Sequence, residues 1–179
     1  EDFVKKNQFN LIADLGCNDG VYSNLALNNG CKNVIGFDFD INAIDKAYMI
    51  SKNNKKNFLP LYFDASNPST NSGWNENERK SFKGRANFDA VIALAFKHHL
   101  AIAKNIPLGN VILWILSLAP NGLIEFVPKN DITIKKMLEL KGDIFPDYNQ
   151  ENFENVLSKN SKILSKNLIS QSGRTLYEF

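Results

Sequence analysis

Cysteine is scarce in this sequence. Cys17 and Cys31 are the only two in 179 residues. That is too few for a disulfide framework or a zinc site, and both read as reduced thiols of a cytoplasmic protein. No apolar run is long enough to span a bilayer, and no charged-then-apolar signal segment opens the chain. Charge of one sign is lacking too: the net charge is +2. There is no basic block with interleaved aromatics, so nucleic acid is not indicated as a partner. "SKNNKKN" (Ser51–Asn57), the most basic stretch, reads as a solvated loop. Internal repeats are absent. So is an initiating Met, and the chain is expected to be part of a longer protein whose N-terminal region it could contact.

What is present suits one globular domain spanning residues 1–179. Hydrophobic residues make up 44% of the chain, enough for a sizeable core. Short apolar runs alternate with helical patterns, which predicts an α/β fold with a mainly parallel sheet. Strands are expected at Phe9–Leu15, Val34–Phe37, Phe58–Phe63, Asp89–Ala95 and Leu123–Val127. Pro60 lacks an N–H and places the third at a sheet edge. The fourth is apolar on both faces, as a central strand should be. Helices are expected near Val21–Leu27, with Val21/Leu25 and Tyr22/Ala26 sharing faces, and after Asp40, with Ile41, Ile44 and Tyr48 as the stripe. Gly30 suits a left-handed C-cap. Pro107 fits the first turn of a helix through "VILWILSLA". Asp131 caps another helix reaching Leu140, and Asn152–Leu157 forms a shorter one. "KILSKNLI" and "RTLYEF" should pair antiparallel around "QSG". Ser66–Asn87 is a long irregular stretch, of the kind that is functional or disordered.

The stretch "DLGCNDG" (Asp14–Gly20) follows the first strand and opens the first of these helices. A glycine turn there lets a ligand approach the backbone, and the helix N-terminus offers unpaired N–H groups. A dinucleotide fingerprint requires G-x-G-x-x-G. From Gly16, its second and third glycines fall on Asn18 and Val21, so it fails. The spacing that fits is Gly16 and Gly20 with Asn18 midway, because Asn tolerates the left-handed region. Asp38 closes the second strand, where a carboxylate accepts both hydroxyls of a ribose. Asp64 closes the third, within reach of an adenine amino group.

Glycine loop, ribose acid and adenine acid together resemble the class I S-adenosylmethionine-dependent methyltransferases. The run "DLGCNDG…GFDFD…FDAS…FDAVIALAFKHHL…GLIEFV" follows that family's order. "NPSTNSGWNENER", "ALAFKHHLAIAKNIPL", "IEFVPKND", "DIFPDY" and "SGRTLY" resemble a narrower bacterial group, the nodulation-protein-related methyltransferases. The resemblance implies a Rossmann-like fold: a mostly parallel seven-stranded sheet with a C-terminal antiparallel strand and helices on both faces. It implies S-adenosylmethionine as cofactor and no metal. Asp14 and Gly16 would face its methionine part, with Asn18 and Gly20 shaping the loop. Asp38 would bind the ribose and Phe39 pack near the adenine. Asp64 and Ala65 would hold the adenine edge. Ala93, Leu94, Ala95 and Phe96 would lie near the sulfonium.

Other residues have two readings. His98 or His99 could contact the acceptor as a base, or cap and pack; at most one should face a site. Glu125, in an otherwise apolar strand, is a site acid or half of an ion pair. Trp74, with Glu78 and Arg79, could form a lid or pin the loop to the core. Asp40 is a helix cap and Asp89 is structural. Cys17 packs in the loop and has no base beside it. The N/D-P-P-Y type of motif carried by many amino-methylating enzymes is missing from "LAFKHH", which favours a small-molecule or sugar-type acceptor. Two rival classes are a nicotinamide oxidoreductase, disfavoured by the missing glycines, and a non-catalytic domain serving regulation or assembly of a larger protein.

Overall fold

Parallel pairing organises the first half of the chain. The computed structural model describes all residues, 1–179. β1 (Leu11–Leu15) lies between β2 (Asn33–Asp38) and β4 (Ala90–Ala93), parallel to both, and β2 pairs in parallel with β3 (Phe58–Tyr62). β5 (Asn121–Phe126), β6 (Ser165–Leu168) and β7 (Thr175–Glu178) complete a seven-stranded sheet of order β3-β2-β1-β4-β5-β7-β6. β7 runs antiparallel to both β5 and β6. β3 is an edge strand, as Pro60 requires. Seven helices accompany the sheet: α1 (Asp2–Asn7), α2 (Val21–Asn28), α3 (Ile41–Asn53), α4 (Phe82–Arg85), α5 (Leu108–Leu116), α6 (Ile132–Lys141) and α7 (Gln150–Asn160). No helix is long and apolar enough to cross a membrane.

The chain forms two compact units. The first comprises Glu1–Ile92 and Leu118–Pro120. Ile12, Ala13, Leu15 and Val34 are buried in its sheet, and Phe37, Phe63, Phe82 and Phe88 pack ring against ring. Asp89 clamps the start of β1 by accepting the N–H groups of Asn10 and Leu11 at 2.8 and 2.9 Å, the structural role expected of it. Asp40 caps α3 through Asn42 and Ala43. Gly30 takes a φ of 106° just past the end of α2.

The helix faces differ from the sequence reading. α2 buries Ser23 and Ala26 and leaves Val21, Tyr22 and Leu25 exposed. A hydrogen bond from Ser23 Oγ to Asp14 sets that rotation, so a polar pair overrides the apolar spacing. α3 turns Ile44, Ala47 and Ser51 inward and leaves Ile41 and Tyr48 outside, with Ser51 Oγ donating to the Phe58 carbonyl. The Ser66–Asn87 stretch carries local order that its composition hides: a Ser72–Arg79 bridge, a 3-10 turn at Trp74–Glu76, and α4. Phe82 anchors it, whereas Trp74 is 84% exposed and pins nothing.

The second unit comprises Ala93–Ser117 and Asn121–Phe179. Phe126, Tyr148, Phe153 and Tyr177 form a chain of ring contacts through it. Asp131 caps α6. Pro107 precedes α5 as its N-cap rather than sitting inside it. α7 runs eleven residues, outlasting the short segment expected at Asn152–Leu157 and slightly exceeding α6.

Candidate functional site

In the first unit, the turn between β1 and α2 is built by backbone geometry. Gly16, Asn18 and Gly20 take φ values of 73°, 49° and 86°. Asn18 thus occupies the left-handed region that made it acceptable in place of a glycine. The N–H groups of Gly16 and Cys17 donate to the Phe37 carbonyl, which ties the turn to the end of β2. A Cβ on Gly20 would lie 2.3 Å from the Phe58 ring, and one on Gly36 would lie 2.7 Å from Cys17 Sγ. The turn therefore sits too close to β2 and β3 for a side chain at either glycine. Gly20, as N-cap of α2, supplies no side-chain acceptor. Of the N–H groups that open the helix, that of Ser23 turns to the Asp14 carboxylate beneath the turn.

Asp38 joins this turn. Its Oδ2 accepts the Asn18 N–H at 2.9 Å and its Oδ1 accepts the Asp40 N–H at 3.0 Å. Each carboxylate oxygen has two lone pairs, so both retain room for a hydroxyl donor. Phe39 follows with its ring exposed. At the end of β3, Asp64 Oδ1 accepts from the N–H and hydroxyl of Ser66, and both Asp64 and Ala65 are half-buried. Asp14 lies beneath the turn, 2% exposed. Burial raises its carboxyl to about 6, against the opposing hydrogen bond from Ser23 at 2.6 Å. Cys17 is buried and burial pushes its thiol well above the usual range, so it is no nucleophile.

In the second unit, the segment after β4 holds the remaining candidates. Ala93 is buried in the strand, Leu94 and Phe96 are half-buried, and Ala95 is exposed. Ala95 takes a φ of 48°, unusual for an alanine. Its N–H donates to Glu125 Oε2 at 2.6 Å. The other oxygen, Oε1, meets Arg174 Nη1 at 3.4 Å. Arg174 also grips Asp131 through Nε and Nη2 at 2.7 and 2.9 Å. Glu125 is thus half of an ion pair, the second of its two readings. The guanidinium holds Asp131 well below the ordinary carboxylate range.

The two histidines divide. His98 is 1% exposed and its Nδ1 has no hydrogen-bond partner. Burial, helped by the nearby charges of His99, Lys97 and Arg174, pulls its pKa down to about 3. His99, at the start of a π-helical turn reaching Ala103, is exposed, with its ring centroid 4.4 Å from that of His98. Of the pair, only His99 is exposed. The structure also brings forward a residue that sequence reading passed over. Lys97 is completely buried, and burial lowers it to about 7 against the pull of Glu125. In "FKHHL" the sole hint was an unbroken apolar strand running straight into it.

No protein-family model matches the sequence. The nodulation protein NoeA of Rhizobium meliloti (strain 1021) is 52% identical over 178 residues, covering 99% of this chain and 37% of NoeA. The chain therefore spans little more than a third of that relative. Among solved structures, the N-methyltransferase NodS from Bradyrhizobium japonicum WM9, in complex with S-adenosylhomocysteine, superposes with a TM-score of 0.69 at 13% identity, over 99% of this chain and 80% of NodS. The bifunctional kinase-methyltransferase WbdD gives a TM-score of 0.66 at 13% identity, over 99% of this chain and 36% of WbdD. At such identities the likeness is one of fold.

Proposed function

We propose that this chain, which has the class I methyltransferase fold and resembles the nodulation-protein group, is the S-adenosylmethionine-dependent methyltransferase domain of a longer protein. One observation carries the reading: Asn18 stands left-handed between Gly16 and Gly20, with its N–H on Asp38. That arrangement joins a glycine turn, a helix N-terminus opened by a glycine and a strand-end carboxylate. The donor set fits the cofactor. Asp38 offers acceptor capacity to a ribose diol, and the turn of Asp14, Gly16, Asn18 and Gly20 offers backbone to the methionine part. Phe39, Asp64 and Ala65 serve the adenine. The family pattern assigns Ala93–Phe96 to the cofactor as well. A nicotinamide reading lacks the glycines at 18 and 21.

When bound, the cofactor supplies an electrophilic methyl group. The protein's own part is alignment, exclusion of water and, for a hydroxyl or amide acceptor, removal of a proton. His99 is the candidate to take that proton on an imidazole nitrogen. His98 is held neutral and internal. Glu125 is committed to Ala95 and Arg174, and so acts on the segment rather than on an acceptor. His99→Ala should lower turnover about 10²–10⁴-fold. His98→Ala should mainly lower the melting temperature.

The acceptor we propose is a small molecule or sugar-type compound, since "LAFKHH" stands where amino-methylating enzymes carry a different motif. Two unpaired thiols support a cytoplasmic location. The test is transfer of label from methyl-labelled S-adenosylmethionine to a panel of sugar and small-molecule amines, hydroxyls and carboxylates. Transfer to one class supports the enzyme. Cofactor binding with no transfer across the panel favours a regulatory or assembly domain.

A further inference from the structure

Lys97 leads the helical turn after β4, between half-buried Phe96 and buried His98. Its Nζ lies 4.2 Å from the ring centroid of Phe126, 5.2 Å from that of Tyr148 and 5.3 Å from that of Phe153. It has one hydrogen bond, to the Tyr148 hydroxyl at 3.3 Å. That hydroxyl donates in turn to the Val127 carbonyl at 2.8 Å. An ammonium has three donors. Here ring faces replace most of its partners, as in the aromatic cages that hold alkylammonium groups.

Such a placement is costly. Lysine is almost never fully buried without a charged partner, and Glu125 is already bonded to Ala95 and Arg174. Methionine would fill the same space with no charge to desolvate. Groups held at such cost gather where a segment must be kept in one geometry. The segment here has two tethers. Glu125 holds the Ala95 N–H in a left-handed conformation, and two residues later the cage holds Lys97. Phe96, between them, faces Trp114 with ring centroids 6.4 Å apart. Directly after the cage, His98 turns inward and His99 outward.

We infer that Lys97 is a positioning residue: the cage of Phe126, Tyr148 and Phe153 fixes the segment Leu94–His99 through its terminal amino group and so sets the outward presentation of His99. The functional sense of this rests on the proposed methyl transfer, in which His99 meets the acceptor. Facing Lys97 are Glu125 from β5, Tyr148 from the α6–α7 connection and His98 from its own turn; α7 contributes Phe153. Burial disfavours the charged form despite the ring faces, so the tether is weakest below neutrality and tightens as Lys97 loses its proton. Unfolded lysine keeps its proton to about 10.4, whereas buried Lys97 releases it near 7. Above pH 7 the unfolded chain therefore binds more protons, and stability should rise with pH towards 10 on account of this residue.

The test is amide hydrogen exchange of residues 94–99, corrected for intrinsic rates, from pH 6 to 9, together with thermal melts. In the wild-type chain, protection of this segment should rise as pH passes 7 towards 9, because the opened segment would take the proton back. In Lys97→Met, it should be at least about tenfold lower at pH 9 and independent of pH, while the melting temperature at pH 6 equals or exceeds that of wild type. Tyr148→Phe keeps the packing and should lower protection in the same residues severalfold. Wild-type protection in Lys97→Met overturns the inference. So does a lowered melting temperature with exchange raised uniformly through β5 and α7, which would make Lys97 a plain anchor of the core. If Lys97→Met does not fold, unchanged protection in Tyr148→Phe overturns it alone. Calorimetry of the wild-type chain with S-adenosylhomocysteine separates the two readings: no binding refutes the methyltransferase function and leaves the exchange result standing.

Discussion

Asn18 in the first unit and Ala95 in the second adopt nearly the same uncommon backbone conformation, φ 49° and 48°. Each gives its N–H to a carboxylate, Asn18 to Asp38 at 2.9 Å and Ala95 to Glu125 at 2.6 Å. A left-handed alanine costs ~1–2 kcal/mol, which a hydrogen bond to a charged acceptor, ~1.5–3 kcal/mol, can offset. The two carboxylates then part ways. Asp38 is half-buried at a strand end and accepts only backbone N–H groups, so it can still take a ligand. Glu125 is buried and its second oxygen faces Arg174. The same local device leaves the carboxylate open at Asp38 and closes it at Glu125.

Three substitutions probe that contrast. Arg174→Met should have the largest effect. It removes the partner of two buried carboxylates and should cost about 3 kcal/mol or more in thermal or denaturant unfolding at pH 7. Asp131 is held below its unfolded pKa, so its contribution is present above pH ~4 and fades as acid is added. In the variant, acid unfolding should begin at a higher pH. An acid transition unmoved by Arg174→Met would mean that the buried network does not close the second unit's segment.

Gly20→Ala should cost about 2–3 kcal/mol, because its Cβ meets the Phe58 ring at 2.3 Å on a backbone with φ 86°. Near-normal stability would show that the turn is looser than its backbone geometry implies. Asp14→Asn should act in the opposite direction. Burial raises Asp14 to about 6, so between pH ~4 and 6 the folded chain binds the extra proton and stability falls as pH rises. The variant escapes this loss. It should be more stable than wild type above pH 6, by up to about 3 kcal/mol, and no more stable below pH 4. A benefit that persists unchanged at pH 3 would point to packing rather than charge.

The contrast also explains what could be read in the sequence. The turn of Asp14–Gly20 is local: its glycines, its asparagine and the carboxylate 20 residues on from Asn18 form a pattern along the chain. The parallel strands, the edge position of Pro60 and the caps at Asp40 and Asp131 were legible for the same reason. Helix faces were not, because Ser23 and Ser51 turn inward to satisfy Asp14 and the Phe58 carbonyl, and apolar spacing takes no account of such bonds. The second unit's polar residues were legible least. Lys97 finds Tyr148 51 residues away, and Arg174 finds Asp131 43 residues away. Nothing near Lys97 in the chain distinguishes it from a solvated lysine, and the cage exists only once β5 and α7 are in place.

The central claim is that Asp38, the open member of the pair, binds the cofactor's ribose. Titration calorimetry with S-adenosylhomocysteine, on wild type and Asp38→Ala, tests it most directly. Losing two charge-assisted hydrogen bonds at ~1.5–3 kcal/mol each should weaken binding by well over tenfold, in a variant that a thermal melt shows to be folded. Wild-type affinity in folded Asp38→Ala would contradict the assignment and leave the glycine turn without its ligand.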